Sequence, residues 1–585
     1  MKNLYKVLVS TLFIATIGFS QTTYVPDDNF EQALIDLGYD DVLNDSVLTA
    51  NISGITSLDV SNEGISDLTG IEAFTALTIL DCYSNQLTSL DVSSNTALTS
   101  LDCYWNNLTS LDVSSNTALT FLECKINQLT SLDVSGATAL TDLSCYSNQL
   151  TSLDVSNNTA LTELLCHDNQ LTSLDVSSNT ALTELSCSQN QLTSLNVSNN
   201  TALTELYCYN NQLTSLDVSN NTALFRLKCA YNQLTSLAFN NNALLGDVSC
   251  ENNQLTSLDV SANTALFTLE CYSNELTSLD VSANTALTYL DCNNNQLTSL
   301  DVSLNTALTA LFCDSNQLDN LDVSANTALI HLQCNDNQLT SLDVSNNIAL
   351  EIMHCWGNQL TSLDVSSNTA LTDFNCSNNQ LTSLDVSNNT ALTSLSCQNN
   401  QLTSLDVSNI LGLHHLELDS NQFTSIDVSN NTELITLYCA SNALTSLDVS
   451  GNTSLRYLRL SNNQLTTLDL SSNIELHDLT IGNNQLTYLN MRNGVTGQLY
   501  YFNATGNSGL TCIETLDPDY ATANWTSANG NIDAGVTFAE ICYSSNPSYT
   551  NVPDDNFEQA LINLGYDDTL DDYVLTANIS GVTSL

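Results

Sequence analysis

Basic side chains are nearly absent from this chain. Lys and Arg together number 8 in 585 residues, against 63 Asp and Glu, for a formal net charge of −55. Two of the eight, Lys2 and Lys6, fall in the leader. A surface of this sign repels nucleic acid and anionic membrane, and leaves cations, proteins and neutral polymers such as polysaccharides as partners. Long apolar runs are equally scarce. The longest, residues 7–19, is 13 residues, too short to span a bilayer. With Lys2 and Lys6 before it and the small-x-small stretch Gly18-Phe19-Ser20 after it, this run reads as a secretory signal over residues 1–20. Catalytic signatures are missing too. His167, His331, His354, His414, His415 and His477 are scattered along the chain, with no Ser–His–Asp arrangement, phosphate loop or H-E-x-x-H. The expectation is an exported bacterial protein that is not an enzyme, with no cofactor, no metal site and no membrane-spanning segment.

What the chain has in abundance is periodicity. From residue 77 to 496 it repeats a 21-residue unit, first seen as LTILDCYSNQLTSLDVSSNTA, without insertion or deletion. Cysteine marks each unit from Cys82, Cys103 and Cys124 through Cys397; Leu418, Cys439, Leu460 and Ile481 then keep the step, for 20 units in all. A strict period of this size predicts a solenoid in which each coil packs only on its neighbours. Leu80-Asp81-Cys82 alternates in, out, in, as a strand does, and stacked coils place such strands in parallel about 4.8 Å apart. The second half, LTSLDVSSNTA, has few helix formers, so a second short strand or an extended turn is expected there. Twenty coils at that spacing would extend roughly 95 Å.

The unit L-x-x-L-x-C-x-x-N-x-L resembles the leucine-rich-repeat family, with Cys where Leu usually stands. It resembles secreted, internalin-like bacterial members of the kind found in Bacteroidetes such as flavobacteria. The resemblance implies a β-rich solenoid with a parallel sheet on the concave face and that face as the ligand surface. It also implies adhesion-like recognition without catalysis.

Each column of equivalent positions carries its own argument. Sixteen successive inward Cys cannot converge as zinc ligands, and parallel side chains at the strand spacing do not suit disulfides. Leu418, Leu460 and Ile481 fill the same column, so the thiols are expected to pack as small apolar groups. The column starting at Asn85 is Asn in all 20 units, which predicts amide bonds to turn backbone and to the Asn of the next coil. The column starting at Asp91 is Asp in 17 of 20 units, a solvated acidic face that repels association or weakly binds cations. The outward strand columns, starting at Ile79, Asp81, Tyr83 and Ser84, vary freely and are rich in aromatics. Tyr and Trp dominate binding hot spots, which makes Tyr83, Tyr104, Trp105, Lys125, Tyr146, Tyr207, Tyr209 and Tyr272 the candidate ligand-binding residues, with His167 and Tyr231 beside them.

The ends depart from the period. Residues 21–76 are expected to form an N-terminal cap, since a first coil without one exposes its core. It would hold a short helix capped by an aspartate of Asp27-Asp28, with Phe30, Ala33, Leu34 and Leu37 on one face and Gly38 at its end. Residues 497–543 resemble the C-terminal caps of secreted bacterial leucine-rich-repeat proteins. Cys512 and Cys542 lie off the ladder there, and pairing them would close a loop of about 30 residues, adding roughly 3–4 kcal/mol by the chain-entropy model. Residues 544–549 read as a linker. Residues 550–585 copy 23–58 with six differences and stop in mid-motif, so the expectation is a second, truncated N-terminal cap with a further solenoid beyond it.

The function expected from all this is a cell-surface or secreted scaffold that binds a protein or glycan non-covalently. The alternatives are a passive spacer with a cation-, mineral- or ice-binding acidic face, or the binding region of a longer enzyme.

Overall fold

The computed structural model describes residues 21–542, 546, 548–570 and 572–582; the leader expected at residues 1–20 lies outside them. The chain divides into two compact units, one running through Leu255 and one from Thr256 onward. Both are built from the same coil. A three-residue strand such as Ile79–Asp81 buries its central Leu and turns its outer residues to the surface. In the first unit the strands from Ser57–Asp59 to Asp247–Ser249 pair in parallel without slip, so Ile79 faces Ser100 and Ser100 faces Phe121. In the second unit the same ladder runs from Thr268–Glu270 to Tyr501–Asn503. On the other side of the coil, strands form at Ser110–Asp112 and Ser131–Asp133, and at Thr467–Asp469 and Tyr488–Met491; most other coils are extended there without a ladder. Helices are few and short.

Leu80, Cys82, Leu87, Val92 and Leu98 are all 0% exposed and define the core of one coil. All 17 cysteines of the period are buried thiols outside the disulfide found among the described residues. Burial pushes the thiols of Cys145, Cys187 and Cys334 up to about 12, which leaves them without thiolate character.

The Asn85 column makes the expected bonds to backbone but not the expected bond to the Asn of the next coil. Asn106 Nδ2 donates to the carbonyls of Cys82 (3.0 Å) and Cys103 (3.2 Å), and its Oδ1 accepts from the Leu87 N–H (3.0 Å). The partners are backbone groups of its own coil and the preceding one, not the neighbouring amide side chain. A second ladder, starting at Asn95, escaped the sequence reading. Asn116 Nδ2 bridges the carbonyls of Val92 and Asn95, both at 3.0 Å. Ala137 and Ile410 interrupt this ladder and Gly494 ends it, whereas nothing interrupts the first.

The strand is shorter than the alternation suggests. It ends at Asp81, so the Tyr83 and Ser84 columns lie in the turn beyond it. The cause is a left-handed residue at each coil's Ser84 position, with φ near +53° in Ile126 and Asn210. That conformation breaks the extended run and brings the following Asn amide onto the backbone.

At the N-terminal end, Thr22–Tyr24 pairs antiparallel with Ser46–Leu48, and helix Asp28–Asp36 starts from Asp27, whose carboxylate accepts from the N–H groups of Asn29 and Phe30. Phe30, Ala33 and Leu34 are buried, but Leu37 is 44% exposed. Leu37 is the C-cap, one residue past the last helical turn, and Gly38 at φ +81° redirects the chain. Glu31 takes an inward place instead. It is buried and accepts from the N–H groups of Asn44, Asp45 and Ser46 at 2.9–3.0 Å. Near the other end, Cys512 is disulfide-bonded to Cys542 beside helix Pro518–Asn524. Further on, helix Asp555–Asn563 and the strand pair Tyr549–Asn551 and Tyr573–Leu575 repeat the motif of the N-terminal cap.

Candidate ligand-binding face

Parallel register without slip means that residues 21 apart in sequence become neighbours in space. In the first unit this creates a continuous stack. Tyr83 and Tyr104 lie face to face, with ring centroids 4.7 Å apart and planes within 4°. Lys125 Nζ sits 4.9 Å from the Tyr104 ring and 5.6 Å from the Tyr146 ring, and Tyr146 stacks on His167 at 4.2 Å. Lys125 also pairs with Glu123 at 2.7 Å, and Ser186 Oγ meets His167 Nδ1 at 3.1 Å. All five side chains of the stack are half-buried. Because each ring covers its neighbour's face, the stack offers ring edges and hydroxyls outward, a geometry suited to hydrogen bonding and edge contact rather than to face stacking of a sugar. Trp105 lies in the adjoining column, held at φ +54°, and is 63% exposed.

Tyr207 belongs to a second group in the same unit. Its hydroxyl donates to Glu205. Arg226 bonds Glu205 (2.9 Å), Asp247 (2.9 Å) and the Tyr207 hydroxyl (3.1 Å), and Lys228 reaches Asp247 at 2.7 Å. Tyr209 is half-buried in the next column. Between stack and network runs a row of carboxylates in register: Asp142, Glu163, Glu184 and Glu205. Burial raises the pKa of Glu163 and Glu184, and the neighbouring carboxylates add to the shift. Asp59, Asp81, Asp102 and Glu123 form a second row. There burial pushes Asp102 up to about 6, with Glu123 and Asp81 reinforcing it and Lys125 opposing.

Tyr272 lies in the second unit, in the column that begins at Tyr83. That unit carries an aromatic group of its own, which the scattered histidines concealed. Tyr289 and Phe312 are 5.4 Å apart, Phe312 meets His331 edge-on at 4.6 Å, and His331 is 6.4 Å from His354. His354 Nε2 lies 3.3 Å from Asp373 Oδ2. Burial holds the His331 imidazole below its ordinary pKa, and the charge of His354 acts in the same direction. Its members alternate between the Ile79 and Asp81 columns in successive coils, so reading down a single column of the sequence does not gather them. Further along the same unit, the Arg459 guanidinium covers the Tyr438 ring at 4.1 Å.

The Asp91 column has a local task. Asp91 Oδ1 accepts the N–H of Ser93 at 2.9 Å, and the same bond recurs at Asp112, Asp133 and Asp154. Asn196 makes it as well, to Ser198 at 3.0 Å. An uncharged residue that preserves the bond shows that the turn needs the oxygen rather than the charge. Among the described residues no three or more His, Cys, Asp or Glu gather as a metal-holding group, and no helix is long and apolar enough to cross a membrane.

No family model matches the chain. Over 72 residues it is 39% identical to Internalin J of Listeria monocytogenes serotype 4b (strain F2365), a stretch that is 12% of this chain and 8% of that protein's length. The solved functional domain of InlJ from Listeria monocytogenes, which includes a cysteine ladder, matches with a TM-score of 0.50 at 37% identity, over 68% of this chain and 82% of that one. YopM from Yersinia enterocolitica WA-314 matches at 0.57 and 24% identity, over 79% and 91%. The plant peptide hormone receptor RGFR1, solved in complex with RGF2, matches at 0.65 and 19%, over 85% and 96%. The last two likenesses concern the fold alone.

Proposed function

Since the chain belongs to the leucine-rich-repeat family, with an internalin-like cysteine ladder, we propose that it is an exported recognition scaffold that binds a protein or a polysaccharide through its concave sheet. The observation that carries this reading is the contrast between columns. The core and turn columns hold almost one residue type each, while the sheet columns change from coil to coil and collect the stack of Tyr83, Tyr104, Lys125, Tyr146 and His167. A spacer has no use for such a stack. The residues proposed to contact ligand are those of the stack with Trp105, the Tyr207 and Tyr209 group, and Tyr272 in the second unit. The leader motif supports export, and the likeness to InlJ supports display at a bacterial surface. No catalytic step is assigned. Binding of the full chain to protein and glycan arrays tests the reading. The variant with Tyr83, Tyr104, Trp105 and Tyr146 changed to Ala should fold with little change in Tm and lose the retained ligand. Undiminished binding by this variant would reject the stack as the site.

A further inference from the structure

The first repeats of the sheet carry exposed apolar side chains that the stack leaves unused. Ile79 and Phe121 stand at one edge of the sheet, 39% and 36% exposed, with Ser100 between them in register. Beyond the far end of the strands, Trp105 and Ile126 occupy successive coils in the left-handed column and are 63% and 43% exposed. The two are linked through the backbone, the Trp105 N–H donating to the carbonyl of Lys125 at 3.1 Å. Most coils place Asn, Ser or Asp in this column, the types that tolerate positive φ; an aromatic and a β-branched residue do not. Neither is buried in return, so the strain brings the fold no packing. Strain kept where nothing internal gains from it points outward, to something that covers these side chains.

The charge between the two apolar edges decides what that occupant is. Asp81 and Asp102 lie in register there. Lys125 serves Glu123, and among the described residues no ion pair reaches Asp81 or Asp102. We propose that the face of the first repeats docks a protein segment bearing apolar side chains interspersed with lysine or arginine. Its apolar groups cover Trp105 and Ile126, and its cations pair with Asp81 and Asp102. This rests on the concave-sheet reading above and names the chemistry of the partner. A neutral polysaccharide brings hydroxyl donors but no cation to pair with the two carboxylates.

The test uses the full chain and a fluorescein-labelled synthetic peptide of alternating leucine and lysine, read by anisotropy. A serine–lysine peptide and a leucine–glutamate peptide are the controls. The leucine–lysine peptide should bind, and the serine–lysine peptide should bind roughly tenfold more weakly or worse. Trp105→Asn with Ile126→Asn should weaken the first peptide by a similar factor, because Asn suits positive φ and the fold is kept. Asp81→Asn with Asp102→Asn should do likewise and flatten the salt dependence, whereas Asp154→Asn with Asp175→Asn, on the turn column, should change nothing. Equal binding of the two lysine peptides, or full affinity in the Trp105 and Ile126 variant, would overturn the proposal. If the array ligand depends on Tyr83, Tyr104 and Tyr146 while the leucine–lysine peptide fails to bind, the concave-sheet reading stands and this inference falls. If neither binding is seen, both fall.

Discussion

Asp102 and Asp112 occupy the same coil and meet opposite environments. Asp102 is on the sheet, half-buried between Asp81 and Glu123, and burial pushes its carboxyl up to about 6. Asp112 ends the strand Ser110–Asp112 on the other side of the coil and accepts the Ser114 N–H at 2.8 Å. In its column the hydrogen bonds from the serine two residues on hold Asp91 and Asp133 below the usual value. The turn column repeats because each coil needs the same bond. The sheet column varies because no coil needs any particular residue there, and burial raises the carboxyl pKa of Asp81 and Asp102, which it holds. Repetition thus marks the scaffold, and variation marks the surface available for recognition.

The comparison can be tested by substitution and by pH. The largest effect should come from the frame that supports both columns. Asn190→Ala leaves the Leu171 N–H and the carbonyls of Cys166 and Cys187 without that partner. Each buried orphan costs about 1–3 kcal/mol, so the loss should be roughly 3 kcal/mol or more, read as a drop in Tm by calorimetry. A loss below about 1 kcal/mol would mean that water replaces the amide. Next comes Cys229→Ser, which buries a hydroxyl with no assured partner, at about 1–3 kcal/mol by mutational precedent. Cys229→Val should cost less, and equal losses would show that the column wants sulfur itself. Thiol titration of the unfolded, unreduced chain should find the period cysteines reactive.

A smaller effect separates oxygen from charge in the turn. Asp133→Asn should leave Tm nearly unchanged, as Asn196 implies, while Asp133→Ala should lower it. Added calcium should act on the parent protein no more than its ionic strength predicts. A Tm that falls as far in the Asn variant as in the Ala variant would make the charge, not the oxygen, the requirement.

The smallest effect is the pH profile. Asp102 and Asp419 have folded pKa values raised to about 6 from an ordinary 3.8, so the folded state binds protons before the unfolded state does. Stability should therefore rise as pH falls from 7 through that window. The turn aspartates are shifted the other way, so their stabilisation persists down to the ordinary carboxylate range and is lost below it. Tm should peak at mildly acid pH, and Asp102→Asn should flatten the limb above the peak. A Tm that falls steadily from pH 7 downward would contradict the assigned environments.

Much of this architecture is legible in the sequence because a solenoid turns sequence period into spatial neighbourhood. The coil length, the inward Leu and Cys and the parallel register follow from counting to 21. The site is legible only in part. Tyr83, Tyr104, Lys125 and Tyr146 can be listed as a column, but their stacking, which hides the ring faces, depends on side-chain rotation that no spacing specifies. The group from Tyr289 to Asp373 was invisible because its members alternate between two columns in successive coils.

The two cap helices separate the contributions most cleanly. Residues 28–35 and 555–562 are the identical string DNFEQALI, and each forms a helix started by the preceding aspartate, Asp27 or Asp554. The sequence alone decided the helix, its cap and the buried carboxylates Glu31 and Glu558, because those depend on residues within about twenty positions. Phe30 is 0% exposed, and its ring lies 6.4 Å from that of Phe74, more than forty positions along the chain. That Phe30 is core was decided by what packs against it from a distant part of the chain, since burial belongs to a pair of surfaces and not to either one.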